Sequence, residues 1–332
     1  MQAYRDEAAR EKLPISSLIV IQNGQVLAEE YFAQQPDDAH VMWSVSKTFT
    51  SFAVGFAIEE GLLGLDSKLC ELFPDECEKA LKNKRLTQAQ KDNLQKGTIK
   101  DYLTMSCGQE KDAIETLAKK YHIMDVNKIE STIKRKGKSL TEIFFEIPFD
   151  NEPGKINCYN SVASYVLSAA VQKVSGQTVN DYLESRLWEP LGIEKPRWDQ
   201  VFGTSCGGWG LYLKTRDMAK VGQMMLDQGR FNGRQVVPAN YLEQASSPYF
   251  SWDRPSWSSP EEGRAYFQGY GYQIWKLADG FSASGMCGQY IMVLPELNAV
   301  IACTADIPDD AQKEQNLIFK HLVPALKGYR AL

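Results

Sequence analysis

The chain has 332 residues, 43% of them hydrophobic and 24% charged, with a formal net charge of -5 at pH 7. That balance fits a globular protein of one large domain or two interleaved ones, and an acidic surplus argues against nucleic acid as a partner. No apolar run reaches membrane-spanning length and residues 1–7 are too charged for a secretory leader, so a soluble, cytoplasmic protein with no membrane partner is expected.

The first structural signal is a hairpin. Residues Leu18 to Ile21 and Val26 to Phe32 read as two strands joined across Asn23-Gly24. The sequence Ser44-Val45-Ser46-Lys47 then opens an apolar helix that runs to Glu60, with Gly61 as its left-handed terminator. On a helix, residues three apart share a face, so a hydroxyl at Ser44 and an amine at Lys47 can meet. A lysine takes a serine proton only where burial or nearby positive charge lowers its pKa from about 10.4. Phe49, Phe52, Val54, Phe56 and Ile58 supply that burial, and a first-turn position for Ser44 favours a developing alkoxide. On the tetrad alone, a capping serine beside a snorkelling lysine fits as well as a nucleophile. A second copy, Ser131 to Lys134, runs into the charged stretch Arg135-Lys136-Gly137-Lys138 and reads as surface.

Helical signals continue through a charged stretch from Glu76 to Lys96, a segment from Ile114 to Lys138, and helices at Ser161 to Ser175 and Val179 to Trp188, with Gly176 between the last two. Gly203-Thr204-Ser205-Cys206-Gly207 matches the nucleophile elbow of α/β-hydrolases, but the following Gly208-Trp209-Gly210 starts no helix. Strands return at Tyr272 to Leu277, Gly288 to Leu294 and Ala299 to Cys303, and a final helix is expected from Asp309 to Val323, ended by Pro324. Strands at both ends with helices between imply an α/β (α+β) fold. Its antiparallel sheet lobe would be built from residues 1–43 and 200–332, and its mostly helical lobe from residues 44–199, with substrate held in the cleft.

Metal and disulfide chemistry find little support. His40, His122 and His321 make no ligand pair and no two cysteines have ligand spacing, so neither a metal nor another cofactor is expected. The seven cysteines, Cys70, Cys77, Cys107, Cys158, Cys206, Cys287 and Cys303, are odd in number and scattered, which reads as free thiols in a reducing compartment. Tyr249, Phe250, Trp252, Pro255 and Trp257, with Trp209, are candidates either for an apolar substrate pocket or for the cover of a core edge.

Spaced motifs from Leu18 to Asp306 resemble the serine β-lactamase and penicillin-binding-protein superfamily, in its class C β-lactamase-like branch of esterases, peptidases and amide hydrolases. They are Trp43-Ser44-Val45-Ser46-Lys47, Glu60-Gly61-Leu62-Leu63-Gly64-Leu65-Asp66, the run from Thr98 to Gly108, Glu152-Pro153-Gly154, Trp188-Glu189-Pro190-Leu191-Gly192, Gly207-Gly208-Trp209-Gly210-Leu211 and Gly269-Tyr270-Gly271-Tyr272. The resemblance implies an acyl-enzyme hydrolase of a small-molecule or peptide ester or amide, with Ser44, Lys47 and Tyr159 catalytic. Either a cationic Lys47 favours a Tyr159 phenolate, or a neutral Lys47 works with Tyr159 as a proton relay; the residues leave both open. By the same resemblance the backbone N–H groups of Ser44 and Met286 form the oxyanion hole, and Ser161, Ala283, Ser284 and Gly285 border the substrate. Where the family often carries Lys-Thr-Gly or His-x-Gly, this chain has Ala283-Ser284-Gly285, without the lysine that helps hold a β-lactam carboxylate. An esterase or amidase is therefore expected ahead of a β-lactamase or D,D-peptidase; a silent scaffold on a borrowed fold is the contrasting class. Cys287 is expected to be a packing residue.

Overall fold

The computed structural model describes residues 1–121, 128–134, 137–251, 267–308 and 312–328. It divides into two compact units, one of Met1–Val45, Leu187–Arg197 and Leu211–Leu332, the other of Ser46–Arg186 and Trp198–Gly210. The helices include α1 (Gln2–Arg10), α2 (Ser46–Glu59), α3 (Ser161–Ser175), α4 (Thr215–Leu226) and α5 (Gln312–Leu317).

The first unit is organised by one antiparallel sheet. Its strands are β1 (Ile15–Gln22), β2 (Gln25–Tyr31), β3 (Phe250–Ser251), β4 (Phe267–Tyr270), β5 (Trp275–Leu277), β6 (Gly280–Gly285), β7 (Gln289–Leu294) and β8 (Ala299–Ala305). They lie in the order β2-β1-β8-β7-β6-β5-β4-β3. The expected hairpin forms, with Ser17 opposite Tyr31, and the first and last strands join as expected, with Val20 opposite Ile301. Every residue of β7 and β8 is buried, which is why their sequences run apolar without alternation. Helix α4, absent from the sequence reading, packs against β1, β7 and β8, and its Met218, Val221 and Met225 are buried.

The meander differs from expectation in detail. The run from Tyr272 is strand only at Trp275–Leu277, and Gly280–Gly285 adds a strand whose Ala and Ser residues give no apolar alternation. Pro324 does not end the last helix. A π-turn at Ile318–Leu322 leads into a further helical segment, Val323–Gly328, and Pro324 occupies its second position, where a missing N–H is tolerated. The expected start of that helix at Asp309 lies outside the described residues.

The second unit is helical. Twelve residues of α2, from Ser46 to Ala57, are buried, so this helix is enclosed on every side as its composition implied. Gly61 ends it with φ +70°. Helix α3 packs against α2, is capped by Asn160, whose Oδ1 accepts the Ala163 N–H at 3.2 Å, and closes at Gly176. The charged stretch from Glu76 divides between the helices Pro74–Leu81 and Gln88–Lys96, and Leu140–Phe145 adds a buried helix that sequence reading missed.

The reading of every cysteine as a free thiol is wrong for one pair. Cys70 and Cys77 form a disulfide across a Cα–Cα distance of 5.2 Å, because the turn before Pro74 brings two short helices together. The thiol argument for a reducing compartment goes with it. Among the described residues no helix is long and apolar enough to cross a membrane.

Candidate active site

In the second unit the relevant side chains surround Lys47. Its position on the buried face of α2 leaves it 1% exposed, and its ammonium donates to the Gly208 carbonyl at 2.8 Å. One turn further on, the Thr50 hydroxyl donates to the Gly207 carbonyl at 2.8 Å, so the glycine-rich loop rests on this helix. The Lys47 nitrogen also sits over the Tyr159 ring, 4.8 Å from its centroid. Burial pulls the lysine pKa down to about 7, with the nearby Asp112 carboxylate resisting. From an ordinary lysine value, that separates the two protonation states by on the order of 5 kcal/mol.

Tyr159 is half-buried at the threshold of α3. Its flanks are pinned: the Cys158 N–H donates to the Met105 carbonyl at 2.6 Å and the Asn157 amide to the Thr104 carbonyl at 3.0 Å. Asn160 reaches from the same turn to Gln109 Oε1 at 2.8 Å. The Ser161 hydroxyl, expected at the substrate, donates to Asp112 Oδ2 at 2.9 Å while the Ser161 N–H donates to Oδ1 at 3.1 Å. Asp112 thus sits at the positive end of α3 and within electrostatic range of Lys47. Sequence reading missed it, since its partners are far off in the chain and no motif marks it.

The first unit holds the Ser44 backbone and the end of β6. The short strand His40–Val41 pairs with Tyr212–Leu213, and the Met42 N–H donates to the Leu211 carbonyl at 2.7 Å, fixing the chain just before Ser44. Trp43 takes φ +45°, a strained conformation for a bulky residue at the position before the serine. Ser44 is partly exposed. Gly285 ends β6 directly against this segment: a Cβ there would lie 2.5 Å from the Met42 carbonyl and 3.3 Å from the Ser44 nitrogen, so only glycine admits the approach.

Beyond Gly285 the chain turns through Met286–Gly288, with Met286 60% exposed and Cys287 at φ +65°. Ala283 is buried, and the Ser284 hydroxyl is shared with Ser282 at 3.0 Å. Burial and the neighbouring Asp306 raise the Cys287 thiol, the opposite of an activated nucleophile. Tyr249 is 44% exposed and packs edge-on against Phe250, Trp209 is buried, and Trp252, Pro255 and Trp257 lie outside the described residues. In the second Ser-x-x-Lys copy, Ser131 and Lys134 are exposed, and the Ser131 hydroxyl donates to the Lys128 carbonyl at 3.1 Å. Among the described residues no cluster of His, Cys, Asp or Glu is arranged to hold a metal ion.

Comparison with known proteins places these features in context. A family model described as Beta-lactamase matches residues 2–320. The 6-aminohexanoate-dimer hydrolase of Paenarthrobacter ureafaciens is 25% identical over 311 residues, covering 91% of this chain and 75% of that one. The Lovastatin esterase of Penicillium rubens is 26% identical over 175 residues, covering 51% of this chain and 41% of the esterase. Among solved structures, a putative 6-aminohexanoate-dimer hydrolase from Bacillus anthracis superposes with a TM-score of 0.74 at 20% identity, covering 98% of this chain and 83% of its own.

Proposed function

From the premise that this chain belongs to the beta-lactamase family, we propose that it is a serine hydrolase that cleaves an ester or amide through an acyl-enzyme, with Ser44 as nucleophile. Lys47 and Tyr159 manage the proton. The observation that carries this reading is the buried amine of Lys47 over the Tyr159 ring: a lysine held near a pKa of 7 has the basicity to accept a serine proton at neutral pH.

In the first half-reaction the Ser44 oxygen bonds to the substrate carbonyl carbon and its proton passes to Lys47 or Tyr159. The backbone N–H groups of Ser44 and Met286 hold the oxyanion, a role supported by the close approach of Gly285 to the Ser44 nitrogen. Collapse breaks the C–O or C–N bond, and the leaving group takes the proton. Water then attacks the acyl-enzyme with the same groups acting in reverse, freeing the acid and Ser44.

The substrate class follows from β6. With Ala283 where the penicillin-recognising relatives often carry lysine, the strand offers no cation to a substrate carboxylate, which favours neutral esters and linear amides over β-lactams. The amide hydrolase and esterase among the relatives support the same choice. Activity-based labelling tests the reading. A fluorophosphonate should modify Ser44 stoichiometrically and leave Ser44→Ala unlabelled, with p-nitrophenyl esters or an aminohexanoate dimer turned over faster than nitrocefin. Wild-type protein inert to the label would instead mark a catalytically silent member, and faster nitrocefin turnover would mark a β-lactamase.

A further inference from the structure

Behind the turn that follows Gly285 lies a buried carboxyl that the mechanism does not use. Glu314, on α5, is wholly buried. Its Oε1 accepts a hydrogen bond from the Tyr4 hydroxyl of α1 at 3.3 Å, and the Cys303 thiol of β8 lies against it. Its Oε2 has no nitrogen or oxygen partner among the described residues. That oxygen faces Gly288: a Cβ on Gly288 would stand 2.5 Å from it and 2.9 Å from the Ala305 Cβ.

The turn itself is strained and fastened from behind. Cys287 at φ +65° and Gly288 at φ +98° are consecutive positive-φ residues, a region that a non-glycine side chain such as that of Cys287 rarely adopts. The Gln289 amide donates to the Met286 carbonyl at 3.3 Å and to the Ala305 carbonyl at 2.6 Å, and the Ile307 N–H donates to the Cys287 carbonyl at 3.1 Å. Two of three consecutive carbonyls are thereby held inward. At the third residue the contact on the inner side is Glu314.

We propose that Glu314 is a positioning residue for the oxyanion turn, its carboxyl packed beneath Gly288 so that the backbone from Met286 to Gly288 keeps the conformation that presents the Met286 N–H to the reacting carbonyl. This rests on the hydrolase reading above, which gives the Met286 N–H its role. A carboxyl serves here because, buried without a cation among the described residues, it stays protonated and neutral. Burial raises its pKa to about 8, against the Cys303 thiol and Tyr4 hydroxyl, which favour the ionised form. Ionisation would put an unpaired negative charge behind donors that must hold a second one. The facing groups do not pre-empt it, since Tyr4 and Cys303 are both raised well above their usual values, and Gln289 and Gln315 carry no charge. Cys287, on the turn, is raised as well, with Asp306 contributing.

The test compares pH profiles of p-nitrophenyl ester hydrolysis for wild type and Glu314→Gln, with Ser44 labelling followed in parallel. Wild-type kcat should fall reversibly above about pH 8, reaching about a tenfold loss at pH 9 from this one group, while KM holds. Glu314→Gln, neutral throughout, should keep kcat at pH 7 within about twofold and lose that alkaline limb. Gly288→Ala, which drives a methyl into the carboxyl from the turn side, should lower kcat at pH 7 with little change in KM; it gives the answer if the glutamine variant does not fold. An alkaline limb unchanged in Glu314→Gln, or a Gly288→Ala enzyme with wild-type kcat, overturns the proposal while Ser44 labelling leaves the hydrolase reading standing. Absent labelling in wild type takes both down.

Discussion

The Lys47 ammonium nitrogen lies 4.8 Å from the centroid of the Tyr159 ring, against a phenol that the chain supplies 112 positions later. A base titrating near 7 gives an acidic limb: activity should rise as pH climbs through about 7, up to the alkaline fall expected from Glu314. Lys47→Met should lower kcat/KM by about 100-fold or more while the circular dichroism spectrum is kept.

The same group leaves a signature in stability. Its folded pKa is depressed, so its contribution is fully present above the unfolded value of 10.5 and is lost as pH falls through about 7. Between pH 10 and 7 the stability of wild type should therefore drop relative to Lys47→Met, measured by urea unfolding at each pH. A parallel pair of curves would contradict the burial of this amine.

Asp112 raises the lysine pKa against the larger effect of burial. Asp112→Asn should move the acidic limb of the pH profile to lower pH, because the amide no longer favours the ammonium. It should also destabilise the protein by about 1 kcal/mol through the weakened acceptor at Ser161 and the N-terminus of α3. Ser161→Ala should cost stability in the same range with little effect on KM.

Gly285→Ala would place a methyl 2.5 Å from the Met42 carbonyl, a backbone atom that cannot swing aside. The strand end must then move away from Ser44. A loss of about 1–3 kcal/mol in stability is expected, with kcat reduced more than KM is raised. Wild-type kinetics in this variant would remove the support for an oxyanion site at the end of β6.

Thiol counting checks the disulfide. The unfolded protein should show five reactive thiols to Ellman's reagent without reductant, those of Cys107, Cys158, Cys206, Cys287 and Cys303, and seven after reduction. Removing the Cys70–Cys77 bridge with a double serine substitution should cost about 2–3 kcal/mol, as closure of so short a loop implies.

What the sequence revealed and what it hid divide along the range of the interactions. The hairpin, α2 with its glycine stop, and α3 between Asn160 and Gly176 are local, and their periodicity and capping residues stand in the sequence. Strand β6 was obscured because Gly-Phe-Ser-Ala-Ser-Gly carries little apolar alternation; it is a strand because β5 and β7 flank it. Asp112 and Glu314 depend on packing between segments distant in the chain, with Glu314 meeting Tyr4 across 310 positions. Nothing near either residue announces a buried role. The Cys70–Cys77 pair was missed for a related reason, since only the turn between two short helices brings the sulfurs together.

The order of strands in the large sheet sets a schedule for synthesis. Strand β1 lies between β2 and β8, with Ile19 opposite both Glu29 and Ala302, so the hairpin made first is completed by the strand made last among the eight. On the ribosome, β1 must wait with one edge unpaired while more than 270 residues are added. Chaperone dependence in this protein is thus expected to be set by the exposure time of that nascent edge, and a circular permutant that joins β8 to β1 should shorten it.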